Sequence, residues 1–212
     1  MATPFHPVQF QAKQAETELT ELGSLLNRPE LSEKYDILPF FRKRDQLCAM
    51  IGTYLPGFAG TASLIAREFS FAGDFRADLL VGSRDTEEYL AIEFEEGRTT
   101  SLFQKLRRTS RKWSPRFEQG YSQLIDWFAA LDDFKKTDKF RREFGPGHVQ
   151  FTGLLVVGRN AGLSVEERRR LRWRSSRVRV DSHAIHCVTY DDLYETLRNR
   201  LRLFIRSARR TK

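Results

Sequence analysis

The spacing of apolar residues predicts a helix first. From about Val8 to Leu26, residues Leu19, Leu22, Leu25 and Leu26 recur at the three- and four-residue interval that lines one helix face, and Asn27-Arg28-Pro29 ends the run. A second helix is expected from Phe40 to Tyr54, stopped by Pro56-Gly57. The period then changes: Ser63 to Phe71, Phe75 to Gly82 and Tyr89 to Glu95 are short, alternating or continuous apolar runs bounded by Gly, Asp and Ser, which reads as three strands. After a basic connection, Arg98 to Lys112, a helix is expected from Ser114 to Leu131, its stripe formed by Phe117, Tyr121, Leu124, Ile125, Phe128 and Leu131. Val149 to Val157 reads as a buried strand, and Ser164-x-x-Glu167 as a capping box opening a helix from Glu166 to about Arg174. Ala184 to Val188 is a further strand, and Thr189-x-x-Asp192 caps a last helix through about Ile205. Helices, then a meander, then alternating strand and helix predict a mixed-sheet α/β domain.

Composition changes this picture little. With 212 residues, 40% apolar and 30% charged, the chain suits one ordinary globular core. No apolar run approaches the roughly 18 residues of a membrane span, and residues 1–10 have no signal-peptide pattern, so a cytoplasmic, non-membrane protein is expected. Cys48 and Cys187 match no metal or redox spacing and read as buried thiols.

Charge changes it more. The net charge is +8, yet seven arginines fall within Arg168 to Arg179 and seven basic residues within Arg198 to Lys212; outside these stretches 22 basic residues face 28 acids. So local a positive field suits phosphate backbones, because neutralising phosphates releases condensed counterions. The plain alternative is a solvated helix face and a basic tail.

The candidate chemistry lies in the central hairpin. Closing it with Gly82 opposite Tyr89 pairs Ala77 with Phe94, Leu79 with Ile92 and Val81 with Leu90 on one apolar face. The other face pairs Asp78 with Glu93 and Arg76 with Glu95. Like charges facing one another on adjacent strands are destabilising. A hard divalent cation would account for them, since Mg²⁺ is often held by one or two carboxylates with water and substrate phosphate. Glu95 projects to the same face as Glu93, which would bring three carboxylates to one patch. The alternative is a solvated polar face whose acids pair with Arg76 and Arg98.

The string Gly73-Asp74-Phe75-Arg76-Ala77-Asp78-Leu79-Leu80-Val81-Gly82, followed by Ile92-Glu93-Phe94-Glu95, resembles the core of the Shedu anti-phage nucleases of the PD-(D/E)xK superfamily. The likeness extends through Trp113-Ser114-Pro115-Arg116-Phe117-Glu118-Gln119-Gly120-Tyr121, Asp126-Trp127, Gly158-Arg159 and Thr189-Tyr190-Asp191-Asp192-Leu193, covering about Leu31 to Leu201. It implies a restriction-endonuclease-like α/β core with a mixed central sheet flanked by helices: an N-terminal helical segment over 1–30, a nuclease-like domain over 31–206 and a basic tail over 207–212. It further implies a metal-dependent DNA endonuclease or nickase in anti-phage defence, using Mg²⁺ or Mn²⁺ and forming a homo-oligomer. Asp78 and Glu93 would hold the metal, and Glu95 and Gln123 would complete the catalytic set. Glu95 stands where the superfamily has lysine, which leaves open an inactive nucleic-acid-binding scaffold of the same fold.

Arg168, Arg169, Arg170, Arg172, Arg174 and Arg177 are the candidate DNA contacts; Trp173 among them could stack on a base, or with Leu171 could be packing. His183 and His186 fall on opposite strand faces and lack further ligands at zinc spacing. No P-loop or Gly-x-Ser-x-Gly element occurs. A basic RNA-binding protein without catalysis would leave Asp78 opposite Glu93 without a purpose.

Overall fold

In the computed structural model the described residues are 5–56, 60–72, 75–104 and 111–210. The Gly73-Asp74 start of the hairpin motif, residues 105–110 of the basic connection and the last two residues lie outside them. The chain begins with β1 (His6–Pro7) and α1 (Ala12–Leu25), followed by a π-helical turn over Glu33–Ile37 that leads into α2 (Leu38–Phe41) and α3 (Asp45–Ile51). The meander follows as β2 (Leu64–Ala72), β3 (Phe75–Ser83) and β4 (Glu88–Phe94), then a two-residue ribbon, β5 (Phe103–Gln104) with β6 (Lys112–Trp113). Next come α4 (Pro115–Phe134), α5 (Asp138–Phe144), β7 (Gln150–Val156), α6 (Val165–Arg177), β8 (Arg179–Val180), β9 (His183–Val188) and α7 (Tyr190–Arg210).

Seven strands form one mixed sheet in the order β1-β2-β3-β4-β7-β9-β8. The meander is antiparallel; β4, β7 and β9 run parallel, joined by helical crossovers. On one face, Leu19 and Leu22 of α1, Leu47, Met50 and Ile51 of α3, and Leu193 and Leu197 of α7 bury against Leu79, Val81, Leu90 and Ile92. On the other, Phe117, Leu124 and Phe128 of α4, Phe140 and Phe144 of α5, and Leu171 of α6 bury against Ala66, Leu80, Ala91 and Leu155. Each such side chain, taken from water, contributes about 1.5–3 kcal/mol. This is the expected α/β class, a mixed central sheet flanked by helices.

Three differences from the sequence expectation have local causes. The helix expected over Phe40 to Tyr54 is broken: Arg44 leaves the helical region (φ −133°, ψ 78°). Its guanidinium instead donates to the Phe40 carbonyl at 2.8 Å and to Glu21 at 2.8 Å. A short helix, α5, was not expected, although Thr137 caps it by accepting from Phe140 N–H and Gly145 (φ 90°) stops it. The last helix runs through Arg210, so the stretch expected as a basic tail from 207 is largely helical.

Candidate metal and nucleic-acid site

The β3–β4 register is the one the alternation predicts, Leu79 with Ile92, Val81 with Leu90 and Gly82 with Tyr89. It stops at that first pair, so the three pairs expected beyond Leu79 are missing. Beyond Leu79 the Phe94 N–H has no strand partner and donates instead to the Asp78 carboxylate, at 2.9 Å. The expected ladder pairs Asp78 with Glu93, Ala77 with Phe94 and Arg76 with Glu95 do not form, and Ala77 and Phe94 bury in opposite cores. The cause lies on β2. Glu68, which the β2–β3 register sets opposite Asp78, has φ 50°, and the chain kinks there.

Opening the ladder still leaves the carboxylates together. Burial pushes the Glu93 carboxyl far above the usual carboxylate range, and the charges of Asp78, Glu95 and Glu33 push it further. Asp78 is raised for the same first reason, with the Phe94 N–H and the Arg76 charge working against the rise. Among the described residues neither Asp78 nor Glu93 has a basic side chain within ion-pair distance. Arg98 goes to Glu96 at 3.3 Å and Glu30 at 3.7 Å, and Glu95 takes Arg116, not Arg76, at 3.3 Å.

Glu95 sits just past β4, 1% exposed, its N–H donating to the Val156 carbonyl and its carbonyl accepting from the Tyr190 hydroxyl at 2.5 Å. Burial and the nearby Glu33 raise its carboxyl to about 8 against the opposing Arg116. Its Oε2 is buried and makes no hydrogen bond among the described residues, the Arg116 guanidinium standing 3.3 Å from it. Helix α4 can approach this closely because residue 120 is glycine: a Cβ there would stand 2.9 Å from Glu95 Cγ and 2.7 Å from Leu155 Cδ1. Ser114 caps α4, accepting from Phe117 N–H at 3.0 Å, which sets Arg116 in the first turn beside Glu95.

Glu33 is the residue sequence reasoning missed. An isolated bridge between Leu31 and Gly97 ties its segment to the end of β4. Arg116 then lies between two acids, 3.7 Å from Glu33 and 3.3 Å from Glu95. Nothing near Glu33 in the sequence marks it; only a π-turn at a carboxylate cluster does, such turns being frequent at functional sites.

Of the other candidates, Gln123 is half-buried on α4, three residues after Gly120 and seven after Arg116 and so on the same helix face; Gln119 is exposed. The six candidate arginines all lie on α6. Arg168, Arg169, Arg172 and Arg177 are exposed, whereas Arg170 and Arg174 pack on aromatic rings, and Arg174 is held by both oxygens of Glu118 at 2.8 and 2.9 Å. His183 stacks on Phe128 and bonds the Phe151 carbonyl, away from the acids. Both cysteines are free and buried, which pushes each thiol up to about 12.

The donor set is all oxygen, which suits Mg²⁺ or Mn²⁺ and not zinc. Among the described residues, no three Asp, Glu, His or Cys side chains are arranged as a ready metal cage. One Asp78 oxygen is engaged by the Phe94 N–H and Glu95 is beside Arg116, so the arrangement fits an ion held by two carboxylates.

These features define a class: an α/β domain whose mixed sheet, at the ends of two neighbouring strands, carries a cluster of carboxylates of which Asp78 and Glu93 have no ion-pair partner among the described residues. The sequence model described as the C-terminal part of the Shedu protein SduA matches residues 30–194, and the chain belongs to the Shedu family. Family membership suggests a role in anti-phage defence. No curated protein sequence matches the chain. Among the described residues no helix is long and apolar enough to cross a membrane.

Proposed function

We propose that the chain is a divalent-metal-dependent deoxyribonuclease, an endonuclease or nickase that hydrolyses phosphodiester bonds in anti-phage defence. The supporting observation is the meeting of Asp78 and Glu93, buried or half-buried, both raised in pKa by burial, and without an ion-pair partner among the described residues. Such a pair is costly as an empty structural element and becomes favourable around a cation.

Asp78 and Glu93 would hold Mg²⁺ or Mn²⁺. When bound, the ion offsets charge developing on the scissile phosphate and makes water a better nucleophile near neutral pH. Glu95, with a carboxyl raised to about 8 and beside Arg116, is suited to accept a proton from the attacking water. Arg116 holds Glu95 and Glu33 in place and brings a positive charge to the edge of the cluster. Gln123, on the helix face of Arg116 and Gly120, would orient substrate. The exposed arginines of α6 would hold the DNA backbone, contributing affinity without sequence choice. Cytoplasmic location and self-association belong to the same reading.

Glu95 in the place of lysine favours a second reading, a DNA-binding scaffold that does not cut. Supercoiled plasmid separates the two. The nuclease reading expects nicking with Mg²⁺ or Mn²⁺, abolished by chelator and by Asp78→Ala; retention without cutting in any metal supports the scaffold.

A further inference from the structure

On the flank of α4 away from the carboxylates, a cavity of about 760 Å³ opens between β6, α4 and α6, its walls including Trp113, Tyr121, Arg169, Arg170, Trp173 and Arg174. One wall is an aromatic column: the rings of Phe103, Trp113 and Phe117 stack at 4.3 Å steps and Tyr121 follows at 5.9 Å. Arg170 and Arg174, one turn apart on α6, lie against this column, the Arg174 guanidinium 4.0 Å from the Tyr121 ring centre and that of Arg170 5.2 Å from Trp113.

Three features of the cavity are unfinished. Trp173 lines it yet is 62% exposed, an unusual place for so large an apolar surface. Tyr121 is 4% exposed, and its hydroxyl finds no acceptor among the described residues, a costly condition for a buried donor. Arg174 is matched by Glu118 and Arg169 by Glu166, but among the described residues Arg170 has no acid partner, its guanidinium donating to the Arg111 carbonyl at 2.7 Å.

A flat π surface and a guanidinium without an acid partner among the described residues together suit a planar heteroaromatic base carrying an anionic phosphate. We propose that this cavity binds an unpaired nucleotide, its base stacked on Trp173 and its phosphate facing Arg169 and Arg170. Gly120 touches the carboxylate cluster while its neighbour Tyr121 lines the cavity, so the two sites are separated by about the breadth of one helix, roughly 10 Å. A strand anchored in the cavity is therefore close to the acids. This inference rests on the reading that the chain acts on DNA and adds how an unpaired nucleotide is held. Base stacking on aromatics tolerates any sequence, so no base preference is expected.

The test uses the full chain carrying Asp78→Asn, in chelator, with a fluorescent single-stranded oligodeoxynucleotide, a same-length strand of abasic residues, and dAMP. Trp173→Ala, at an exposed position, is expected to weaken binding of the intact strand roughly 5- to 100-fold. Trp173→Phe should restore most of it, and the abasic strand should bind the unmodified cavity as weakly as the intact strand binds Trp173→Ala. Competition by dAMP identifies the occupant as a free nucleotide; its failure to compete identifies a nucleotide within a strand. Equal affinity of Trp173→Ala and its parent, or of abasic and intact strands, overturns the proposal. Plasmid nicking by the chain with Asp78 restored is scored separately. Nicking with Trp173-independent binding removes the cavity alone, and Trp173-dependent binding without nicking removes the nuclease reading alone.

Discussion

Glu93 is 5% exposed and faces Asp78, Glu95 and Glu33. With its carboxyl raised to about 10, it must take up a proton to stay buried in metal-free protein at pH 8, and a neutral amide avoids that cost while destroying the proposed cation site. Glu93→Gln is expected to raise the melting temperature at pH 8 in chelator by about 2–4 °C per kcal/mol of that cost, while abolishing nicking. Calorimetry and a plasmid assay on the same preparation check both halves. The raised pKa values also set a pH dependence. A carboxyl whose folded pKa lies above its unfolded value favours the native state below the unfolded pKa, near 4, and that contribution is lost as pH rises through the folded value. With Glu95 at about 8 and Asp78 and Glu93 also raised, melting temperature in chelator should fall as pH goes from about 5 to 9. Mg²⁺ should offset the fall, since a ligand that binds only the native state stabilises it. A metal-free protein equally stable at both ends of that range would show the carboxylates to be apart.

At the scale of elements, the site depends on α4 lying close over β4 and β7. A Gly120→Val side chain would collide with Glu95 and Leu155, so it should cost about 1–3 kcal/mol in urea unfolding and lower nicking more than the stability loss explains. Most elements were legible because their periods are strict: the Leu79 with Ile92 and Val81 with Leu90 pairs follow from alternation, and α6 from the Ser164 and Glu167 capping box. What escaped was set by tertiary structure. Glu33 reaches the site through the Leu31 to Gly97 bridge, more than sixty residues along the chain, and the ladder stops at Asp78 because of the Glu68 backbone on a third strand. The break at Arg44 follows from a guanidinium bonding one helix's last carbonyls, which no periodicity reveals. Of the candidate site, the two hairpin acids and their nearness could be read from spacing; the Arg116 link between Glu33 and Glu95 could not.

Across the whole molecule, positive charge lies on α6 and α7 and negative charge inside the sheet's open end. The exposed Arg168, Arg172 and Arg177 are suited to phosphates, and replacing all three with alanine should weaken duplex DNA binding at low salt. The slope of log affinity against log salt should become shallower by up to about 0.9 for each phosphate that is no longer neutralised. Anisotropy titrations at several salt concentrations read this directly; an unchanged slope would put the DNA elsewhere. The central claim, that Asp78 and Glu93 share one hard cation, is reached most directly by titrating Mn²⁺ into the full chain and following free Mn²⁺ by electron paramagnetic resonance. The account predicts saturable binding that Mg²⁺ displaces and that both Asp78→Asn and Glu93→Gln abolish in folded protein. No saturable binding, or binding that survives both substitutions, would contradict it.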